Sequence, residues 1–258
     1  MKRFLLFIFF ANVFNVLVAS NSILAKADSL YLKKEYFTAI KYYEESLKTD
    51  GLSSEVYYNL GNAYYRSNIL GRAILNYERA LKLDPGNTDA KFNLEFVKSK
   101  IADEISDDRN FLTRVFDSII NMFNTNTWAY ISLVLLILIL TSIACYIYST
   151  KIVIRKYGFF SGFVFLFLFC SSILFSLLAA NKLADNSRAI IIDKSTVLSK
   201  NPQTPKSTTD EVMLLHEGTS IEILDSVQSP NDKECAIWYK TEIKGIQAWI
   251  KSTSVERI

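Results

Sequence analysis

The chain has 258 residues, a formal net charge of +3 at pH 7 and 50% hydrophobic residues. So small a charge, with no basic stripe interleaved with aromatic residues, argues against nucleic acid as a partner. The apolar excess is concentrated at residues 1–20 and 128–180, so we expect several domains rather than a single core.

Residues 1–20 have the pattern of a secretory signal peptide. Lys2 and Arg3 precede a short apolar run, and small residues come after it at Ala19 and Ser20. A basic start, a short apolar core and a small-residue cleavage site are the features of exported chains. The alternative is an uncleaved membrane anchor, and in both cases the repeat region behind this segment is exported.

Residues 20–53 and 54–87 align when one segment is shifted by 34 positions. The second copy has small and aromatic residues at helical spacing, closed by a proline: Tyr57, Leu60, Gly61, Tyr64, Ala73, Tyr77, Ala80 and Pro85. Small side chains let two helices approach closely, and tyrosines fill the space beside them. This pattern resembles the tetratricopeptide repeat family, which implies a solenoid of helical hairpins at 21–106.

An unpaired helix is predicted at 88–105, where Ala90, Leu94 and Val97 form an apolar stripe opposite a polar face. Such a helix caps the end of a repeat array. Two hairpins and a cap make a small core, so we expect additional support from a partner or from the membrane surface.

One face of the second repeat's first helix is predicted to be exposed: Glu55, Tyr58, Asn62, Tyr65 and Arg66. Asn62 and Arg66 can hydrogen-bond an extended peptide backbone or a carboxylate. We therefore predict that these residues form a partner-binding groove, and the alternative is an ordinary solvated surface.

Residues 107–124 contain apolar side chains at helical spacing: Phe111, Leu112, Val115, Phe116, Ile119, Ile120 and Phe123. This spacing predicts an amphipathic helix in the membrane interface, just before the first apolar span. The alternative is a cap packed on the last repeat.

Two uncharged segments, 127–149 and 158–180, each reach the roughly 20 residues that a helix needs to cross a bilayer. The loop between them, 150–157, carries three basic residues and no acidic one, so we expect it in the cytoplasm. The repeats and the C-terminal region would then both face the periplasm from the inner membrane.

Residues 186–258 change to short alternating runs, with five candidate strands at 196–199, 212–215, 220–224, 237–243 and 247–250. Short strands separated by turn residues predict a small β-barrel. The sequences at 215–219, 221–224, 238–240 and 248–250 resemble the bacterial SH3-like domain. That resemblance implies ligand contacts at Trp238, Tyr239 and Trp249, although aromatic residues in so small a barrel also fill the core.

Residues capable of catalysis or metal binding are sparse and scattered. Cys145, Cys170 and Cys235 lack metal-ligand spacing, and His216, the only histidine, has no nucleophile-and-base pattern around it. We therefore predict a protein that is not an enzyme, with no catalytic residues, no metal and no cofactor.

The predicted fold class is multidomain α and β: an α-solenoid, two transmembrane helices and a small SH3-like β-barrel. This order, with the sequences at 59–65, 89–95 and 215–219, resembles the BatE-type proteins of the Bacteroides aerotolerance operon family. The resemblance implies a scaffold whose partners carry von Willebrand factor A domains, in envelope stress or aerotolerance. The alternative is a cell-wall sensor whose barrel binds peptidoglycan.

Overall fold

The computed structural model describes residues 23–101, 103, 110–205, 207–229 and 236–258. The predicted signal peptide therefore lies outside the described residues. The described helices and strands form two compact units, one with the repeat helices and every strand, the other with three later helices.

In the part of the repeat region that the structure describes there are five helices: α1 (23–32), α2 (Tyr36–Thr49), α3 (Ser54–Arg66), α4 (Leu70–Leu83) and α5 (Thr88–Lys98). Two of them begin at polar caps, where Ser53 Oγ accepts from the Val56 amide and Asn87 Oδ1 accepts from the Ala90 amide. Consecutive helices from α2 to α5 pack against one another. The predicted capping helix at 88–105 is shorter, since α5 ends at Lys98.

The repeat core sets small residues against tyrosines, as the spacing predicts. Ala39, Ala73, Tyr43 and Tyr77 are all buried. A Cβ added at Gly61 would lie 2.7 Å from Cε1 of Tyr77, so only glycine admits that ring. The close approach of α3 and α4 therefore depends on this small-against-large pairing.

Seven strands among the described residues form one antiparallel sheet: β1 (Arg188–Ile191), β2 (Ser195–Ser199), β3 (Glu211–His216), β4 (Ser220–Gln228), β5 (Ile237–Ile243), β6 (Ile246–Lys251) and β7 (Val255–Arg257). Their order across the sheet is β3-β2-β6-β5-β4-β1-β7.

The prediction of a closed barrel is wrong, because no ladder among the described residues joins the outer strands β3 and β7. The long strand β4 pairs with β1 through its first residues and with β5 through the rest, and its register shifts between Ile223 and Asp225. The β1–β7 edge lies against α4 instead, where Arg79 forms a 2.8 Å ion pair with Glu256. Helix α4 thus lies against β7, the strand that would have to pair with β3 to close a barrel.

The sheet and the repeats share one core. Ile190 of β1 is fully buried within the hydrophobic cluster of the repeats. A Cβ added at Gly71 would lie 2.7 Å from the carbonyl oxygen of Ile191, so the start of α4 touches the backbone of β1. Glu217, in the turn between β3 and β4, accepts a 2.9 Å hydrogen bond from the amide of Gly71 and thereby caps α4.

Ionic contacts reinforce this packing. Glu78 of α4 lies 2.6 Å from Nζ of Lys98 and 3.5 Å from Nη2 of Arg188, so one carboxylate joins α4, α5 and β1. Burial raises the pKa of Glu78, but the two cations outweigh burial and hold it below its ordinary value.

A second carboxylate ties the end of the repeat region to the sheet. Asp103 accepts hydrogen bonds from the amide of His216 at 2.6 Å and from Oγ1 of Thr219 at 2.8 Å. Burial raises the pKa of Asp103, but the hydrogen bonds from His216 and Thr219 lower it by more, so the pKa lies below its ordinary value.

The second unit contains α6 (Phe111–Ile120), α7 (Thr125–Tyr148) and α8 (Ile152–Ala184). Both α7 and α8 are long and apolar enough to cross a membrane, and each contains an 18-residue stretch with a mean hydropathy of 2.5. They pack as a pair, joined by a hydrogen bond between the hydroxyls of Ser132 and Ser172. The connection predicted at 150–157 is shorter, because α8 begins at Ile152 and includes two of the three basic residues.

Candidate partner-binding groove

A concave groove of about 480 Å³ lies on the repeat region. Its lining comes from α1, α3, α4 and α5 and is mostly aromatic: Tyr31, Tyr58, Asn62, Tyr65, Arg66, Tyr77, Phe92, Asn93, Phe96 and Val97. Successive inner helices of a solenoid expose their side chains on the same concave side, which brings residues distant in sequence into one surface.

Four of the five predicted groove residues line this surface. Tyr58, Asn62, Tyr65 and Arg66 contribute to it, whereas Glu55 is exposed outside the lining. The spacing of four residues along α3 places them on one face, so the helical period alone was sufficient to group them.

Sequence reasoning missed the contribution of α5. Phe92 and Phe96 line the groove, and Phe92 is 70% exposed. The sequence prediction treats α5 as a cap with a solvated polar face and gives these rings no role. Two large aromatic residues four positions apart on a solvent-facing helix are the signal that could have identified them.

The floor of the groove is fixed by an internal hydrogen-bond network. Oδ1 of Asn62 accepts from the hydroxyl of Tyr77 at 2.7 Å and from Nδ2 of Asn93 at 2.9 Å. Burial raises the pKa of Tyr77, so its hydroxyl stays protonated as a donor. The side-chain oxygen of Asn62 therefore holds α4 and α5 rather than a ligand.

Two cationic side chains, Arg66 and Lys100, lie at the rim of the groove. Arg66 is exposed and is the only charged residue among the described residues that line the groove. The Tyr31 hydroxyl beside Arg66 raises the pKa of its guanidinium. Nζ of Lys100 donates to the hydroxyl of Tyr65 at 2.7 Å and lies 4.4 Å from the ring centroid of Phe96. The groove therefore combines aromatic surface with cations, a combination suited to a segment that carries a carboxylate.

The three aromatic residues predicted to contact a ligand on the sheet do not converge. Trp238 is 3% exposed, and the half-buried Tyr239 packs on the core of the sheet beneath the guanidinium of Arg257. Successive strand residues face opposite sides, so Trp238 and Tyr239 point away from each other. Trp249 pairs across the strands with Lys240, on the face opposite Tyr239.

Among the residues that the structure describes, no cluster of histidine, cysteine or acidic side chains is placed to hold a metal ion. A smaller cavity of about 260 Å³ beside β4 is lined by Ser187, Asp225 and Arg257 among others, and by none of the three predicted aromatic residues.

Together, helix pairs and a concave aromatic surface define a helical-repeat module of the kind that binds proteins. Residues 54–87 match the family model of the tetratricopeptide repeat, and this segment contains α3, α4 and the turn after α4. The tetratricopeptide prediction is thus confirmed for these residues. A comparison with curated proteins gave no match.

Proposed function

We propose that this protein is a non-enzymatic scaffold, anchored in a membrane, whose repeats hold a segment of a partner protein in the groove. The observation that carries the proposal is the groove itself, where an ordered floor at Asn62 and Tyr77 lies beneath exposed aromatic rings. A site whose walls are fixed before binding loses little conformational entropy when the ligand arrives.

The ligand that fits best is an extended segment with an acidic side chain or terminal carboxylate. The two rim cations, Arg66 and Lys100, supply charge-assisted hydrogen bonds. The exposed rings of Phe92 and Phe96 provide surface for apolar side chains of the same segment.

The membrane placement rests on α7 and α8. We take both as spans with the basic connection in the cytoplasm, which leaves the repeats and the sheet in the periplasm. The packing of the sheet on the repeats supports this topology, because parts that share one core lie on the same side of a membrane. Two spans between the repeats and the sheet return the chain to the side from which it entered the membrane.

The resemblance to BatE-type proteins suggests which complex this scaffold serves. On that basis the partners are inner-membrane proteins with von Willebrand factor A domains, and the process is envelope stress or aerotolerance. No feature of the described sheet residues favours peptidoglycan as a ligand, since Trp238 is buried and the predicted aromatic residues are divided between two faces.

Site-specific photo-cross-linking in native membranes tests the groove. p-Benzoylphenylalanine is introduced in place of Phe92, which lines the groove, or of Phe37, which is 66% exposed outside the lining. We expect a discrete adduct from position 92 and none from position 37. Mass spectrometry of the adduct then identifies the partner segment.

Charge reversal provides the second arm. Arg66→Glu should reduce the position-92 adduct about tenfold or more, because losing a charge-assisted hydrogen bond costs about 1.5–3 kcal/mol. Lys48→Glu reverses an exposed charge outside the groove and should leave the adduct unchanged. Equal adducts from positions 92 and 37, or an adduct insensitive to Arg66→Glu, would refute the proposal.

A further inference from the structure

Helix α6 presents an apolar face that no described part of the protein buries. Phe111, Leu112 and Phe116 are 71%, 67% and 57% exposed, and Val115 lies between them on the same arc. We call these four residues the apolar arc. Threonine, arginine, aspartate and serine occupy the opposite side of the helix. A continuous exposed patch of large apolar side chains on a short helix marks a surface that meets another apolar phase.

Contacts within the second unit fix the level of α6 relative to the spans. Nζ of Lys182 donates to Oδ1 of Asn121 at 3.0 Å and lies 3.4 Å from Oδ1 of Asp117. Lys182 directly follows the uncharged run of α8, which extends through Asn181. A lysine in that position lies where the hydrocarbon ends. The polar side of α6 is therefore held at the depth of the headgroups.

Trp128 strengthens the same assignment. Its indole nitrogen donates to the carbonyl oxygen of Ile120 at 3.2 Å, and its ring lies 5.1 Å from Phe175 of α8 and 5.3 Å from Phe123. Tryptophan is enriched at the boundary between headgroups and acyl chains because one part of its ring is polar and the rest is apolar. The end of α6 is thus held against the start of α7 by a residue type that is common at that boundary.

We propose that α6 is an interfacial anchor that lies in the plane of the bilayer surface, with the apolar arc inserted among the upper acyl chains. Only a helix lying flat places all four side chains of the arc at one depth while Asp117 stays beside Lys182. The charges of Arg114 and Asp117 sum to zero, so α6 itself carries no net positive charge to attract anionic lipid, and its insertion depends on apolar surface. The proposal rests on the membrane placement given above.

Spin-label accessibility tests this anchor in the full-length chain, reconstituted in phosphatidylcholine vesicles. Cys145, Cys170 and Cys235 are first replaced with serine. A nitroxide is then attached through Phe116→Cys on the apolar arc or through Thr113→Cys on the polar side. We expect the label at 116 to collide with dissolved oxygen several times more often than with a water-soluble nickel chelate, and the label at 113 to show the reverse.

A label at Leu136→Cys, within α7, separates the two proposals. If the label at 136 is reached by oxygen and the label at 116 is reached mainly by nickel, the spans stand and the anchor is refuted. A label at 116 shielded from both reagents means that protein covers the arc, which also refutes the anchor. If the label at 136 is reached by nickel, the membrane placement itself fails. Leu112→Cys repeats the measurement should Phe116→Cys fold poorly.

Discussion

Replacing Gly71 with alanine should destabilise the unit that the repeats and the sheet form together. The new Cβ would lie 2.7 Å from the carbonyl oxygen of Ile191 and 3.1 Å from the amide nitrogen of Gly218. Both are backbone atoms, one in β1 and the other in the turn between β3 and β4, and they cannot turn aside as a flexible side chain does. Either α4 or the sheet must therefore move, which also stretches the hydrogen bond from Gly71 to Glu217.

Two effects of opposite sign determine the size of the loss. Alanine is favoured over glycine by about 1 kcal/mol inside a helix, and by less here, because position 71 lies in the first turn of α4. Overpacking typically costs about 1–3 kcal/mol. A hydrogen bond to a carboxylate is worth about 1.5–3 kcal/mol, and weakening it loses part of that amount. The unfavourable effects dominate, and we expect a net loss of about 2 kcal/mol.

Thermal unfolding of the full chain in detergent measures this loss, with the fluorescence of Trp238 and Trp249 reporting on the sheet. A change of 1 kcal/mol shifts the midpoint by about 2–4 °C in a domain of this size, so the midpoint should fall by about 4–8 °C. Gly86→Ala is the matched control, because its Cβ would meet only a flexible side-chain oxygen of Asp84. An unchanged or raised midpoint for Gly71→Ala would refute the close contact between α4 and the sheet.

Two further substitutions probe the same unit with the same assay. Glu78→Gln should lower the midpoint by about 2–4 °C, because Lys98 and Arg188 are too exposed for a larger effect. The pKa of Glu78 is lowered in the folded state, so its stabilisation is complete above the unfolded-state pKa and is lost as pH falls through the folded-state pKa. A difference in midpoint between Glu78→Gln and the unchanged chain that persisted in strong acid would contradict this assignment. Tyr77→Phe removes the hydroxyl donor to Asn62 and should cost about 1 kcal/mol, whereas an unaltered midpoint would show that the floor of the groove does not depend on this bond.

The parts of the fold that were predictable depend on local spacing. The repeat at 54–87 is specified by residues one or two helical turns apart, and the five strands β2 to β6 show alternation or flanking turn residues. Strands β1 and β7 were missed. The burial pattern of β1 shows three consecutive buried residues, which hides the alternation, and β7 is only three residues long.

The open sheet could not be predicted for a different physical reason. Whether its edge pairs or is covered depends on contacts between α4 and β1, more than a hundred positions apart in the chain. Periodicity carries no information about such distant contacts. The groove shows the same limit: the face of α3 was predicted, whereas the role of Asn62 as a partner for Tyr77 and Asn93 requires knowing which helices meet.

The shared core of repeats and sheet is assembled from two stretches of chain that the α6–α8 segment separates. That segment is therefore an insertion within one folded body. Covalent continuity through it is not what keeps the two stretches together, because Ile190 is fully buried among the repeat side chains and Glu78 joins elements from both. A protease cut at 149–151 would leave two fragments that migrate as one particle and separate only when denatured.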